Sequence, residues 1–404
     1  MKLQLFPIAV SGLRRLGWLL VLLALAGCGL SDQVARGVPT APPPTVQAAS
    51  FAPPTEVLPA SAPTTMTFAS APDSATPTAQ TSAATPAVTP IIPPMPGATK
   101  STPQAALPRL AFRSNGLYIV DADGANLRRL TTDPQDQLPA WSPDGQRIVF
   151  TSDRDHIGNI DIFVINADGT RLVQLTTDRA VDNFPIWSPD GRYIAFTSNR
   201  DPNTPYGDIY IMRADGTQVQ RVTTDPTFEN IMGWSPDGTR IFYSINHDGA
   251  WTIHTVNLDG THDIVIVAGS AGVLSSDGTA IAFIRTDLGH DDLWISAIDG
   301  TNVWRVTNTP SLEYSLAWSP NTKRIAFNPG LSLINTDGTG QSQLSDPQTS
   351  TGEIHWSPDG KYIAFQSMNA KDENDLAVVD VTTGVRTLLT HNMNVEAGFA
   401  WSPQ

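Results

Sequence analysis

Cysteine is almost absent from this chain: its 404 residues include one, Cys28. A single thiol cannot form an internal disulfide, and it cannot supply a cysteine cluster of the kind that binds a metal. The stability of the folded part must therefore come from a packed core.

Motifs of common catalytic centres are also missing. There is no Gly-x-Ser-x-Gly, no His-Glu-x-x-His and no phosphate-binding glycine loop, and the seven histidines are scattered without metal-ligand spacing. The repeated Asp-Gly elements predict turns. An EF-hand calcium loop with its invariant glycine at Gly124 would start at Ile119, and isoleucine is not a calcium ligand. We expect a protein that is not an enzyme and has no cofactor, with a divalent cation such as calcium left open.

Basic side chains are few relative to acidic ones, with 25 Lys and Arg against 39 Asp and Glu. Lys2, Arg14 and Arg15 lie near the N-terminus, and residues 28–107 hold three acidic and two basic side chains, so residues 108–404 carry a net charge of −16. This charge disfavours nucleic acid and direct adhesion to an anionic membrane surface. A neutral or cationic partner fits better.

Long apolar runs are confined to the N-terminus. Basic residues precede Leu16–Ala26, which is too short to span a bilayer, and this order predicts a signal peptide over residues 1–27. Its end, Leu25–Cys28, resembles the lipobox of bacterial lipoproteins. The resemblance implies lipidation of Cys28 and a lipid anchor on the outer side of the cytoplasmic membrane or in the outer membrane. A secretory peptide with an incidental cysteine and a retained transmembrane anchor are the alternatives.

Residues 28–107 contain few large apolar side chains. Sixteen prolines lie between Val38 and Leu107, among alanine, threonine and serine. Such a composition cannot bury enough surface to offset the entropy of ordering, so we predict a disordered tether. At about 3.1 Å per residue it could extend on the order of 200 Å. It serves either as a spacer from the membrane or as a linker without a required length.

One motif recurs through the rest of the chain. Its copies begin 38 to 47 residues apart, the spacing of a stacked repeat. Within a copy, Ser-Pro-Asp-Gly fits a type I turn, and two β-branched and aromatic runs, an Asp-Gly turn and a short last strand follow. Each unit therefore predicts one four-stranded antiparallel blade of a β-propeller. The motif Trp-Ser-Pro-Asp-Gly starts at Trp141, Trp187, Trp234 and Trp356, with altered or truncated copies at Leu274, Trp318 and Trp401.

The two ends of the repeat region complement each other. Residues 110–130 supply three strands without a preceding Trp-Ser-Pro strand, and Gly398–Pro403 supply one first strand. We predict that this C-terminal strand joins the other three and closes the ring, which removes free sheet edges between blades. The predicted fold class is all-β, a seven-bladed propeller of four-stranded antiparallel blades over residues 108–404.

These repeats resemble the WD40-like "PD40" repeats of the TolB family. The third blade shows the pattern most fully: Trp187–Gly191, then Ile194–Arg200, Asp208–Tyr210, Ala214–Thr217 and Val222-Thr223. The resemblance covers residues 108–404 and implies the propeller alone. TolB proteins carry an α/β domain before a six-bladed propeller, and residues 28–107 lack the composition of such a domain.

A carboxylate recurs five residues before the motif position. Gly269 and Thr351 interrupt the series, with Glu353 close to the second. If these side chains lie at the start of the innermost strands, they ring one mouth of the central channel and could hold a cation or a basic segment. Alternatively, each caps backbone N–H groups or pairs with Arg or Lys of the adjacent blade. The series is Asp136, Asp182, Glu229, Glu313 and Glu396.

The repeated tryptophans predict packing between blades, whereas Trp251, Trp294 and Trp304 fall outside that register. We expect a monomeric cell-envelope lipoprotein whose propeller is a non-catalytic module that binds an envelope protein or peptide. A glycan or cell-wall receptor would instead need exposed aromatic side chains clustered on one face. A lyase or hydrolase with a site in the channel would need His355 or Tyr314 beside inward-facing carboxylates.

Overall fold

Seven four-stranded antiparallel sheets make up the part of the chain that the structure describes. The computed structural model describes residues 107–204, 206–287, 289–309, 312–345, 350–368, 373–396 and 398–403. The predicted signal peptide, Cys28 and all but the last residue of the predicted tether lie outside these residues. None of the described residues forms a helix long and apolar enough to cross a membrane.

Each sheet is one blade, and its strands follow one another in space as they do in sequence, except in the first blade. The first strands are β28 (Phe399–Trp401), β4 (Gln137–Trp141), β8 (Asp182–Trp187), β12 (Glu229–Trp234), β16 (Ser270–Leu274), β20 (Tyr314–Trp318) and β24 (Ser350–Trp356). The second strands are β1 (Arg109–Arg113), β5 (Arg147–Ser152), β9 (Tyr193–Ser198), β13 (Arg240–His247), β17 (Ala280–Asp287), β21 (Arg324–Asn328) and β25 (Tyr362–Met368).

The third and outermost strands complete the blades. The third strands are β2 (Leu117–Asp121), β6 (Asp161–Asn166), β10 (Asp208–Arg213), β14 (Ala250–Asn257), β18 (His290–Ala297), β22 (Ser332–Asn335) and β26 (Asn374–Asp380). The outermost strands are β3 (Arg128–Arg129), β7 (Val173–Gln174), β11 (Gln220–Arg221), β15 (Ile264–Ala268), β19 (Trp304–Arg305), β23 (Ser342–Gln343) and β27 (Arg386–Leu388).

The C-terminal strand closes the ring, as predicted. β28 pairs antiparallel with β1, so that Leu110 faces Trp401 and Phe112 faces Phe399. The first blade thus takes one strand from the end of the chain and three from its start. The predicted count of seven blades is also confirmed.

The Ser-Pro-Asp-Gly segments form the predicted turns. In the second blade the Gly145 N–H donates to the Ser142 carbonyl at 2.8 Å, and Gly145 has a positive φ of 65°. The Asp144 carboxylate accepts the Gln146 N–H at 3.0 Å, and its hydrogen bond from the Ser142 hydroxyl lowers the pKa of Asp144. The turn is therefore held by the side chains of its own motif.

The ring has two distinct faces. The turns between first and second strands and the Asp-Gly turns between third and fourth strands lie at one end of the sheets, which we call the turn face. The linkers between blades and the connections between second and third strands lie at the opposite end, which we call the linker face.

The hydrophobic core lies between blades. Each of seven buried clusters combines residues of two neighbouring sheets. Between the fourth and fifth blades, for example, Phe242 and Ile253 pack with Ile281 and Phe283. One of these seven clusters joins Phe399 and Phe112 of the first blade to Leu376 of the seventh blade. Closure of the ring therefore buries the same kind of surface as every other contact between blades.

The motif tryptophans lie at these interfaces and donate hydrogen bonds across them. The Trp356 indole N–H donates to the Ala317 carbonyl at 3.1 Å, and Trp401 donates to the His355 carbonyl at 3.0 Å. In each case the acceptor directly precedes the motif position of the preceding blade. The same bond forms from Trp141, Trp234 and Trp318.

The bond from Trp356 provides a test of this arrangement. We expect Trp356→Phe to lower the free energy of unfolding by about 1–2 kcal/mol, because it leaves a partly buried carbonyl without its donor. Trp356→Ala should cost about 3–5 kcal/mol, since it also removes packing. Urea unfolding followed by circular dichroism measures both.

The matched control is Trp304→Phe. Trp304 also donates to a carbonyl of the next blade, that of Thr336, but is 40% exposed. Its loss should be below about 1 kcal/mol because solvent can replace the bond. Equal losses at the two positions would contradict the assignment of Trp356 to the stabilising interface.

Candidate functional site

The first strands of six blades line a cavity on the axis of the ring. Its volume is about 370 Å³, which is within the range of roughly 300–1,000 Å³ typical of ligand pockets. Most of the wall is apolar, and Leu138, Phe184, Ile231, Leu316 and Phe399 contribute to it. The central channel can therefore accept apolar groups.

Backbone geometry at the channel wall is unusual and repeated. Six first strands shift register against their second strands, each through a β-bulge or similar irregularity. Near these shifts Leu138, Phe184, Ala271 and Ser315 have φ between 49° and 53°, a conformation that costs a non-glycine residue roughly 1–2 kcal/mol. Bulges re-aim side chains, so this strain determines which groups face the channel.

A carboxylate and an imidazole lie side by side on the mostly apolar wall. The His355 Nε2 atom is 3.6 Å from the Glu353 carboxylate, and both side chains are partly exposed. Glu353 also accepts the Gly398 N–H at 3.2 Å, and the His355 ring meets the edge of Phe399. Asn230 and Ser315 add polar groups to the lining. The channel thus has a carboxylate that can orient a donor or a cation.

The five carboxylates of the repeated register lie at the linker face: four begin or directly precede a first strand, Glu396 lies three residues before β28, and none lines the cavity. Four are 0–3% exposed, namely Asp136, Asp182, Glu229 and Glu313, whereas the Glu396 side chain is 47% exposed. Four of the five are therefore buried side chains and not open to solvent.

Each of these carboxylates has a protein partner. Asp136 pairs with Arg154, and Asp182 accepts two bonds from Arg200 at 3.0 and 3.1 Å, in both cases within one blade. Glu229 accepts the Ile209 N–H of the preceding blade at 3.1 Å. Glu313 accepts bonds from Thr307 and Thr309, and Glu396 pairs with Arg113 at 2.5 Å. Glu229 thus caps a backbone N–H group, whereas the arginine partners belong to the same blade and not to the adjacent one. A cation at the channel mouth stays a prediction.

A second set of buried acids was missed at the sequence level. Asp161, Asp208 and Asp292 stand at or near the start of third strands and are 0–2% exposed. Burial is the largest cause of a raised pKa in these pairs, and the second carboxylate adds to it. The charge of Asp208 raises the pKa of Glu229, that of Asp292 raises the pKa of Glu313, and that of Asp182 raises the pKa of Asp161. The sequence signal was present, since each Asp is followed by Ile or Leu and then directly by an aromatic residue.

The pair between the third and fourth blades is the most perturbed. Burial first, and then the nearby Asp208 charge, raise the pKa of Glu229 to about 8, against hydrogen bonds from Thr223 and Ile209 that favour the charged form. Burial also raises the pKa of Asp208, and that of Asp161 to about 6. Among the described residues, Asp208 Oδ1 and Glu229 Oε1 have no hydrogen-bond partner. The interface therefore favours a protonated Glu229 at neutral pH.

Metal and glycan sites find less support in the geometry. No group of three or more His, Cys, Asp or Glu side chains in the described ranges is placed to hold a metal ion. Trp304 is 40% exposed on an outermost strand, whereas Trp251 and Trp294 are half-buried in third strands. These three tryptophans therefore do not share one exposed face.

Comparisons with known proteins concern the fold. A family model described as the Tricorn protease N-terminal β-propeller domain matches residues 158–290. No curated protein matches the sequence. TolB from Acinetobacter baumannii is similar in structure at 20% identity, over 74% of this chain and 67% of that one, with a TM-score of 0.51.

Two enzymes are similar to the same extent. An oligogalacturonate lyase in complex with manganese matches at 15% identity over 70% of this chain and 85% of its own, with a TM-score of 0.52. A puromycin-hydrolyzing peptidase of Mycobacterium tuberculosis matches at 14% identity over 71% of this chain, which spans about half (53%) of that peptidase, with a TM-score of 0.55. The chain thus carries a TolB-like propeller fold, and function has to be argued from its own residues.

The buried pair at Glu229 predicts a pH dependence of stability. In the folded protein the pKa of Glu229 is about 8, whereas its ordinary value in an unfolded chain is 4.5. Between these two pH values the folded protein therefore holds one more proton than the unfolded chain. Stability should therefore fall as pH rises through this window and level off above it. Glu229→Gln removes this contribution, so its stability relative to wild type should rise with pH by up to roughly 1.4 kcal/mol per unit.

Urea unfolding at several pH values from about 4 to about 9, a series that brackets the window of about 4.5 to 8, measures this difference. Asp208→Asn should reduce the slope without abolishing it, because burial of Glu229 remains. Parallel stability curves for wild type and Glu229→Gln would show that the carboxyl group is ionised in the folded protein.

Proposed function

We propose that this TolB-like propeller is the folded part of a bacterial cell-envelope lipoprotein, anchored through a lipid on Cys28, and that it is a non-catalytic module that binds a protein or peptide. The observation that carries the proposal is the channel of about 370 Å³, whose wall is built from apolar side chains of the first strands. Such a wall binds apolar groups without offering a cluster of reactive ones.

The site also offers orientation. Glu353 supplies one carboxylate acceptor on the wall, and Asn230 and Ser315 supply neutral polar groups. A few polar groups in an apolar pocket fix the position of a ligand and give specificity. The net charge of −16 over residues 108–404 favours a neutral or cationic partner.

The test is affinity capture with the full chain from detergent-solubilised envelopes. We expect wild type to retain an envelope protein and Asn230→Trp, which fills the channel, to retain several-fold less. Gln220→Trp on an outermost strand is the control and should behave as wild type. Unchanged capture by Asn230→Trp, or recovery of glycan without protein, would overturn the proposal. Capture that is lost with EDTA would show that the interaction needs a divalent cation.

A second candidate function is an enzyme with its site in the channel. The contact between His355 and Glu353 favours it, because an imidazole beside a carboxylate can transfer protons. The fold is shared with an oligogalacturonate lyase. This candidate requires formation of unsaturated products from oligogalacturonate by the wild-type chain and their loss in His355→Gln; the non-catalytic module requires that neither protein form them.

A further inference from the structure

The connections on the two faces differ in regularity. On the turn face, all six continuous connections from first to second strands are five residues long, at 142–146, 188–192, 235–239, 275–279, 319–323 and 357–361. On the linker face, the connections from second to third strands range from two residues at 248–249 to nine at 199–207. Variable loops on a regular scaffold are where binding surfaces are usually built.

Exposed apolar side chains show the same asymmetry. Among the described residues, five large exposed hydrophobic side chains lie on the linker face, and the other nine lie in or beside outermost strands. Ile157 is 90% exposed and Tyr206 is 67% exposed, each in a long loop. An apolar patch rimmed by polar residues is typical of an interaction surface. The five are Ile157, Tyr206, Leu312, Tyr314 and Met368.

Charge distinguishes the faces as well. On the turn face the aspartates of the turns alternate with basic side chains, such as the exposed Arg192, Arg240 and Lys361. On the described part of the linker face, four exposed carboxylates stand against the exposed Arg129 and Arg179, and Arg129 is bound to backbone carbonyls of Asn115 and Thr132. Arg154 and Arg200 are turned inward onto buried aspartates, and Arg200 also pairs with the exposed Asp178. The exposed carboxylates are Asp155, Asp178, Asp248 and Glu396.

We infer that the linker face is the docking face of the propeller and that its occupant is a cationic polypeptide segment with apolar side chains, which the acidic loops attract and the exposed apolar side chains hold. This inference rests on the proposed binding function and adds the face and the partner chemistry. The acidic loops set the association rate and its salt dependence, and the apolar contacts set the lifetime of the complex.

Two synthetic peptides of about a dozen residues serve as probes. They share leucine and tyrosine residues and differ in carrying lysine or glutamate. Fluorescence anisotropy with the full chain should show that the lysine peptide binds and that salt weakens this binding. The glutamate peptide should bind at least about tenfold more weakly, because its charges have the same sign as those of the acidic loops. Equal binding of both peptides, or binding of neither, would overturn the inferred partner chemistry.

Paired variants locate the binding face. Ile157→Ser with Tyr206→Ser, and separately Asp155→Asn with Asp248→Asn, should each raise the Kd of the lysine peptide at least about fivefold. The control for the first pair is Val219→Ser with Val385→Ser, which also replaces two exposed apolar side chains by serine but directly before outermost strands. Gln146→Lys with Gln341→Lys makes the same change in net charge on the turn face. Both controls should stay within about twofold of wild type.

The outcomes separate this inference from the broader proposal. Unchanged binding by both linker-face pairs, with loss in the channel variant Asn230→Trp, would overturn the linker face as the docking face and leave the channel as the binding site. Equal losses in linker-face and control pairs would show a non-specific charge effect and also overturn it. Loss of envelope capture is measured independently and decides the proposed function.

Discussion

The contact between neighbouring blades is the interaction on which this structure depends. A four-stranded sheet of this size has two apolar faces and cannot bury either alone. Each interface therefore combines buried side chains from two sheets, and five of the seven add an indole N–H that reaches a carbonyl of the preceding blade, as between Trp356 and Ala317. Since every blade needs two neighbours, a row of blades becomes stable only as a closed ring. The pairing of β28 with β1 satisfies that requirement.

Buried carboxylates are the cost of the same geometry at the linker-face end of the interfaces. There the chain passes from one blade to the next, and backbone N–H groups such as that of Ile209 need acceptors away from water. Glu229 and Thr223 supply them, at 3.1 and 2.8 Å. Elsewhere the carboxylates pair with Arg154 and Arg200. Burial without a full set of partners raises the pKa of Glu229, so this interface couples the stability of the ring to proton uptake.

Local and repeated features were predictable from sequence. Ser-Pro-Asp-Gly determines its own turn through bonds within five residues, and the spacing of the motif fixed the number of blades. The packing role of the tryptophans followed from their register. Even the closure could be predicted, because the incomplete units at the two ends had complementary strands.

The channel wall could not be predicted in the same way. A strand alternates its faces with every residue, but bulges with left-handed residues such as Leu138 and Ser315 change which side chains face the axis. The placement of Glu353 and His355 beside Phe399 depends on the contact between the seventh blade and the first. The third-strand aspartates escaped notice because their partners, in the next blade, lie about 20 residues away: Asp208 and Glu229 meet only after the blades stack.

The repeat explains why the groups proposed for binding lie where the sequence is least regular. Residues that recur in every blade are already committed: the turn aspartates cap their own turns, and the motif tryptophans hold neighbouring blades together. Groups that depart from the repeat, such as Ile157 and Tyr206 in long loops or His355 on the wall, contribute little to that framework. A side chain that is exposed, apolar and unrepeated has no part in closing the ring. Its position at one face is best explained by contact with another molecule.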